Sequence, residues 1–144
     1  MDHLPAYDPR WLAVAEQAAR AAGRIAVEYR GRATTQSKGL RDIVTEADVL
    51  CQAECKRIIA AAFPDHAFLA EEADTTPGGP SDLTWVIDPI DGTTNYAYGL
   101  PVFCTSIGLA LGDTLLAGVV YDPLRDELYA AGRGQGATLN GTPL

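Results

Sequence analysis

The stretch Trp85-Val-Ile-Asp88-Pro-Ile-Asp91-Gly-Thr93-Thr94-Asn95 decides how this sequence is interpreted. An apolar run leads directly into two carboxylates, Asp88 and Asp91, and Gly92 after them permits a tight turn. Pro89 stiffens the link between the two carboxylates, so both side chains could reach cations held a few ångströms apart. The stretch therefore predicts a strand that delivers paired carboxylates at its end.

The predicted ligand set at this turn consists of oxygen atoms. The carboxylates of Asp88 and Asp91 would be joined by the main-chain carbonyl of Ile90. Sets of this kind favour Mg²⁺, Mn²⁺ or Ca²⁺ over zinc or copper, which prefer nitrogen or sulfur donors. We expect magnesium.

An anion site is predicted beside the metal pair. Gly92, Thr93 and Thr94 would expose backbone N–H groups at the start of a short helix, where a phosphate oxygen binds favourably. The alternative is that Asp88 and Asp91 only cap a turn, which is the usual role of an isolated Asp-Pro-x-Asp-Gly string. Spacing alone favours that alternative.

Upstream, the sequence predicts two helices separated by a loop. An Asp-Pro start and apolar residues at helical spacing predict a first helix over Pro9–Arg30. Residues 31–41 show no apolar period and indicate a loop that could move. Thr45 and Asp48 resemble a capping box that opens a second helix over residues 46–63.

The remaining elements are predicted strands. Turn signals separate β-prone runs at residues 67–70, 84–87, 104–111, 115–121 and 127–131. Helices followed by antiparallel strands indicate an α+β fold, a layered αβ sandwich in which helices cover one face of a mostly antiparallel sheet. Residues 1–144 would form one domain, because a chain of this size builds a single core.

Composition narrows the class of function. The net charge of −8 disfavours a nucleic-acid partner, since phosphate backbones are bound by clustered Lys and Arg. No apolar run approaches the ~20 residues needed to span a bilayer, so no membrane role is expected. Three cysteines are an odd number, and no cleavable leader precedes the first helix, so we expect a reduced, cytoplasmic protein.

Four residues with metal-binding side chains are interpreted without a functional role. Cys51 and Cys55 stand four apart on the second helix and are expected to be small core residues, because zinc would require further suitable ligands nearby. His3 and His66 are expected to be exposed.

The string Asp88–Asn95 is nearly the same as the signature of the inositol monophosphatase family, D-P-I/L-D-G-T-T-N-F, with Tyr96 in place of Phe. Two earlier blocks resemble the family in the correct order, Lys38–Asp48 and Phe68–Glu72, where Ala70 replaces the usual glycine. Later segments that look like the family's strands and turn are 106–108, 118–123 and 136–141.

This resemblance implies magnesium-dependent hydrolysis of a phosphate monoester, most directly inositol 1-phosphate, with two or three Mg²⁺ ions or with Mn²⁺. It also implies that residues 1–144 are the N-terminal metal-binding portion of an inositol monophosphatase-like domain, an incomplete sandwich of the sugar-phosphatase type without its C-terminal portion. Family members are nearly twice as long, and their second half supplies another metal-binding aspartate and the residues that grip the alcohol. Whether the 144 residues act alone is therefore left open.

The resemblance also assigns roles to residues. Glu71, Asp88, the Ile90 carbonyl and Asp91 would bind the metals, with Asp88 bridging two of them and Glu72 as a supporting neighbour.

Two further pairs are assigned by the same resemblance. Asp48 and Thr93 would orient and deprotonate the attacking water, although helix capping is an alternative role for Asp48. Lys38 and Asp42 would belong to a loop that closes over the site, with solvated loop charges as the alternative.

Two other functions stay open at this point. Sugar bisphosphatases, histidinol phosphatases and nucleotide phosphatases share the metal core, and Thr94-Asn95 favours the inositol branch only modestly. The second alternative is a non-catalytic binding or assembly module that buries its open sheet against another chain, as a homodimer or with a complementing C-terminal half.

Overall fold

The computed structural model describes residues 3–32, 40–70 and 82–144. Within these ranges, two long helices and one short helix accompany a seven-stranded sheet. The elements are α1 (Pro9–Arg32), α2 (Leu40–Ala62), β1 (Ala67–Ala70), β2 (Leu83–Asp91), α3 (Thr93–Ala97), β3 (Cys104–Leu111), β4 (Thr114–Asp122), β5 (Glu127–Gly132), β6 (Gly136–Leu139) and β7 (Thr142–Pro143). None of the helices in this part of the chain has the length and hydropathy required to cross a membrane.

Helix α1 begins where the sequence predicts. The Oδ1 atom of Asp8 accepts a hydrogen bond from the backbone N–H of Arg10 at 2.9 Å, which is the geometry of an N-cap. The helix ends at Arg32, two residues beyond the predicted end. Its buried face begins with one aromatic residue and continues as a stripe of alanines: Trp11, Ala15, Ala18, Ala19, Ala22 and Ala26.

Helix α2 begins at Leu40, well before the predicted start. The placement of Asp42 in the preceding loop is therefore wrong, since its backbone lies in the first turn of α2. Thr45 and Asp48 lie inside the helix rather than at its start, so they do not open it as predicted. The apolar period of α2 continues upstream to Val44, and the packing of Val44 against the core outweighs the weak local preference of Thr and Asp for caps.

Helices α1 and α2 pack through small side chains. Cys51 and Cys55 are both fully buried, which confirms the expectation that they are core residues. Their thiols donate to carbonyls of α1, from Cys51 to Ala22 at 3.3 Å and from Cys55 to Ala18 at 3.6 Å. The short side chains bring the two helix backbones close together.

The sheet confirms the predicted α+β class. Its strand order is the chain order, β1 to β7, and only the β1–β2 pair is parallel. Helices α1 and α2 pack on one face. The strand residues that point toward them are buried because side chains alternate between the two faces. Examples from β2, β3 and β4 are Trp85, Ile87, Ile107, Leu109 and Val119.

The opposite face of the sheet exposes apolar side chains. Val86, Val120 and Leu115 are 44%, 40% and 60% exposed, respectively. A register shift between Leu109 and Ala110 places Leu116 in the core and turns Leu115 outward. No described element covers this face, which we call the open face.

His66 corrects one expectation. It follows α2, and its ring stacks on Phe63 with centroids 4.7 Å apart. Its Nδ1 atom accepts a hydrogen bond from Nε1 of Trp85 at 3.0 Å. The turn after α2 thus folds His66 onto the core, and the expectation that it is exposed is wrong. His3 is exposed, as expected.

Candidate active site

The two aspartates of the central stretch lie inside β2 rather than beyond its end. Asp88 pairs with Ser106 and Asp91 pairs with Cys104, with a register shift between them. The hydroxyl of Thr105, which is 1% exposed, donates to the carbonyl of Pro89 at 2.9 Å. This irregularity interrupts the regular ladder between the two carboxylates, and Thr105 holds it in place.

The three predicted ligands of β2 differ in exposure. Asp88 is half-buried, and its Oδ1 atom is excluded from solvent. Asp91 is exposed. The side chain of Ile90 is 1% exposed and apolar, so only its main-chain oxygen could serve a cation. The donors available here are therefore all oxygen, the set that hard divalent cations prefer.

The thiol of Cys104 lies in a negatively charged region. The pKa of this thiol is raised to about 11, first by burial and then by the charges of Asp91, Asp88 and Asp122. Three carboxylates, from the ends of β2 and β4, therefore act on one half-buried group. A negatively charged region of this kind attracts cations.

Gly92 makes the turn from β2 into α3. Its φ of 100° lies in the left-handed region, which strains residues that carry a Cβ. A Cβ there would also lie 3.0 Å from the carbonyl oxygen of Val102. Helix α3 follows at once, with Thr93 and Thr94 exposed in its first turn. The predicted phosphate-binding residues thus lie next to the predicted metal ligands in the chain and at the same end of β2.

Asp48 approaches this region from α2. It is 6% exposed, and its charge raises the pKa values of two neighbours. The pKa of Cys51 rises to about 12, first because of burial and then because of Asp48. The pKa of the Tyr96 hydroxyl in α3 is also raised, mainly by burial, with smaller contributions from Cys51 and Asp48. The structure therefore brings Asp48 near the helix that begins with Thr93.

Several predicted residues lie outside the described part of the chain. Glu71, Glu72 and Lys38 fall in the gaps, and of Asp42 only the backbone is described. Within residues 3–32, 40–70 and 82–144, no three His, Cys, Asp or Glu side chains are grouped closely enough to hold a metal ion. The roles of these four residues stay predictions.

Two residues of the site were not predicted, Thr105 and Cys104. Thr105 occupies an inward position between Phe103 and Ile107, and a lone hydroxyl in such an alternation signals a buried hydrogen bond. No local pattern marks Cys104, because its acidic neighbours come from β2 and β4.

Comparison with known proteins decides the family. The sequence profile of the inositol monophosphatase family matches residues 9–144. The chain belongs to the inositol monophosphatase family. Its fold agrees with this assignment: the structure of the suppressor protein SuhB from Bartonella henselae superposes with a TM-score of 0.83 at 36% identity, covering 93% of this chain and 52% of that one.

Two curated relatives have the same percentage identity to this chain. The Nus factor SuhB of Haemophilus influenzae is 45% identical over 132 residues, covering 90% of this chain and 49% of that protein. The inositol-1-monophosphatase of Synechocystis is 45% identical over 136 residues, covering 93% of this chain and 47% of that protein. The chain therefore spans about half the length of these relatives.

Proposed function

We propose that this chain carries the metal-binding part of a magnesium-dependent phosphomonoesterase, and that its substrate is a small phosphate monoester, inositol 1-phosphate first. The observation that carries the proposal is the pair Asp88 and Asp91 on either side of an irregularity in β2, followed at once by left-handed Gly92. Family membership supports a phosphatase, and the name of the Synechocystis relative supports the inositol substrate.

The oxygen-only donor set of β2 fits magnesium, or manganese in its place. Asp88, Asp91 and the Ile90 carbonyl would hold it, together with Glu71, as two or three ions. Magnesium bound there would neutralise phosphate charge and lower the pKa of a water molecule.

The remaining chemistry belongs to side chains and backbone of this chain. Thr93 would orient the attacking water, and Asp48 would accept its proton, because a carboxylate within reach of a hydroxyl can act as a general base. The N–H groups of Gly92, Thr93 and Thr94 would donate to the phosphate oxygens. Lys38 and Asp42 would contribute from the segment that precedes and begins α2. No covalent intermediate is required.

The first test is phosphate release from inositol 1-phosphate by this chain, with and without Mg²⁺, in the wild type and in Asp88→Asn. We expect magnesium-dependent turnover that is lost in Asp88→Asn. We also expect Mn²⁺ to bind at least ~10-fold more weakly in that variant, because groups that only support a metal ligand already change affinity ~10–100-fold.

Asp113→Asn is the matched control, since Asp113 is exposed in the turn between β3 and β4. It should leave both measurements unchanged. A folded wild-type chain that binds Mn²⁺ but releases no phosphate would limit the proposal to metal binding. Absence of both would overturn it.

The open face favours a second candidate, an assembly module. An apolar sheet surface of this kind is normally buried, and exposed apolar patches mark interaction sites. The occupant would be a second copy of this chain or a chain equivalent to the other half of the relatives. Sedimentation velocity of the folded chain, which measures its association state, tests this candidate.

A further inference from the structure

Helix α3 cannot hold its own position. It has five residues, far fewer than the ~12–15 needed for a marginally stable isolated helix. Its N-cap, Gly92, offers no side-chain cap. The location of Thr93 must therefore be set by contacts that α3 makes with the rest of the molecule.

The first such contact is made by Tyr96. Its side chain is 3% exposed and packs edge-to-face on Phe103, with ring centroids 5.0 Å apart. Its hydroxyl donates to the carbonyl of Ala26 in α1 at 2.8 Å. The aromatic ring alone would fill the pocket, as the Phe of the family signature would. The hydroxyl adds a directional bond from α3 to α1.

The second contact is made by Arg30, one helical turn after Ala26 on α1. Its Nη2 atom donates to the carbonyl of Gly99 at 2.8 Å. Gly99 closes the turn after α3, where its N–H donates to the carbonyl of Tyr96. Two successive turns of α1 thus bind two points of the segment that carries Thr93.

We propose that the Tyr96 hydroxyl and the Arg30 guanidinium are positioning groups that dock α3 on α1 and thereby fix Thr93 at the end of β2. The proposal rests on the proposed function for the role of Thr93. It gives a role to Tyr96, which stands in place of the Phe of the family signature, and to Arg30 near the end of α1. Neither group belongs to the predicted metal ligands or phosphate-binding residues.

The structural test is hydrogen exchange of the amides of Tyr96, Tyr98, Gly99 and Leu100, each of which donates within this segment. Tyr96→Phe and Arg30→Met should each speed their exchange roughly fivefold, the effect of one lost hydrogen bond. Exchange in β3 and β4 should stay unchanged. Arg30→Lys, which keeps a donor of similar reach, should restore most of the protection.

Two matched controls remove the same groups elsewhere. Tyr129→Phe removes a hydroxyl that bonds Glu127 on β5, and Arg57→Met removes a guanidinium paired with Glu54 on α2. Neither should alter exchange between residues 93 and 100. Unchanged exchange in both Tyr96→Phe and Arg30→Met would overturn the docking role.

A functional measurement separates positioning from general stability. With Mg²⁺ present, inorganic phosphate should bind roughly fivefold more weakly to Tyr96→Phe, whereas Mg²⁺ affinity, which depends on Asp88 and Asp91, should change less than twofold. Faster exchange with unaltered phosphate affinity would overturn the link to Thr93. If the wild type binds no phosphate, the proposed function fails for this chain, while hydrogen exchange still decides the docking.

Discussion

At the scale of single residues, His66 shows how a fold selects one protonation state. Its Nδ1 atom accepts the N–H of Trp85, a side chain with 0% exposure, so that nitrogen must carry no proton. The pKa of His66 is lowered, mainly by burial, and Arg10 lowers it further, whereas Asp65 and Asp8 raise it. Burial and the hydrogen bond both favour neutral imidazole.

This predicts a pH-dependent stability. Because the folded pKa lies below the unfolded value of about 6.5, the unfolded chain binds a proton first as pH falls. The contribution of His66 is therefore fully present above pH ~6.5 and is lost as pH falls toward the folded pKa. We expect the Tm to decrease between pH 7.5 and 5.5, measured by Trp fluorescence.

His66→Gln should flatten that pH dependence, since Gln can accept the Trp85 hydrogen bond but does not titrate in this range. His3→Gln is the control, because His3 is exposed. Parallel Tm profiles for the wild type and His66→Gln would show that other groups carry the pH dependence.

At the scale of elements, Gly23 reveals how closely α1 lies on the sheet. A Cβ at this position would come within 2.6 Å of the Tyr121 ring and 3.0 Å of Cβ of Pro123. Tyr121 belongs to β4, and Pro123 lies directly after that strand. Glycine is required here because there is no room for a side chain, not because the backbone needs unusual dihedral angles.

Gly23→Ala should therefore destabilise the protein, although Ala is the better helix former by ~1 kcal/mol. Overpacking of a filled site costs about 1–3 kcal/mol, and we expect a net loss within that range in urea denaturation. Arg24→Ala, at the exposed neighbouring position, should be neutral or slightly stabilising. A stabilised Gly23→Ala variant would mean that α1 can move away from β4.

The elements that the sequence predicted well are those whose burial is periodic. Helix α1 and strands β3 to β5 differ from prediction by at most two residues at any end, because one face of each is apolar. The start of α2 was missed because local capping preferences are weak beside burial.

Prediction of the site from sequence was limited to residues that are close together in the chain. The residues of the central stretch were found because they are adjacent in the chain. Thr105 was not, because its partner, Pro89, lies 16 positions away. Outside the site, the burial of His66 was missed for the same reason, since its partner, Trp85, lies 19 positions away. Contacts between distant positions leave no local period for a single sequence to display.

At the scale of the whole molecule, the main feature is the open face, because it exposes apolar side chains to solvent. Val86, Leu115 and Val120 lie outside the layer formed by α1 and α2, on a chain that spans about half of its relatives. Burial of apolar surface is worth ~25 cal/mol per Å² removed from water, so this face favours association.

We expect the isolated chain to self-associate through this face in sedimentation velocity. Val120→Lys should shift it toward monomer, because a charge there would lose its water in any contact. Val27→Lys is the matched control, since Val27 is 39% exposed but lies on α1, in the other layer. Equal sedimentation of Val120→Lys and the wild type would exclude the open face as an association surface.

The order of the strands has a consequence for how the chain folds during synthesis. From β2 onward, each strand pairs with the next one along the chain, so the sheet can grow hairpin by hairpin with little loop-closure entropy. Helix α1 precedes the sheet in the chain, yet it packs on β4 and β5, which are made about a hundred residues later. Helix α2 can cover part of the alanine stripe early, but the residues of α1 that pack on the sheet must wait for β4 and β5. We expect this interval to be when the nascent chain is most prone to misassociate.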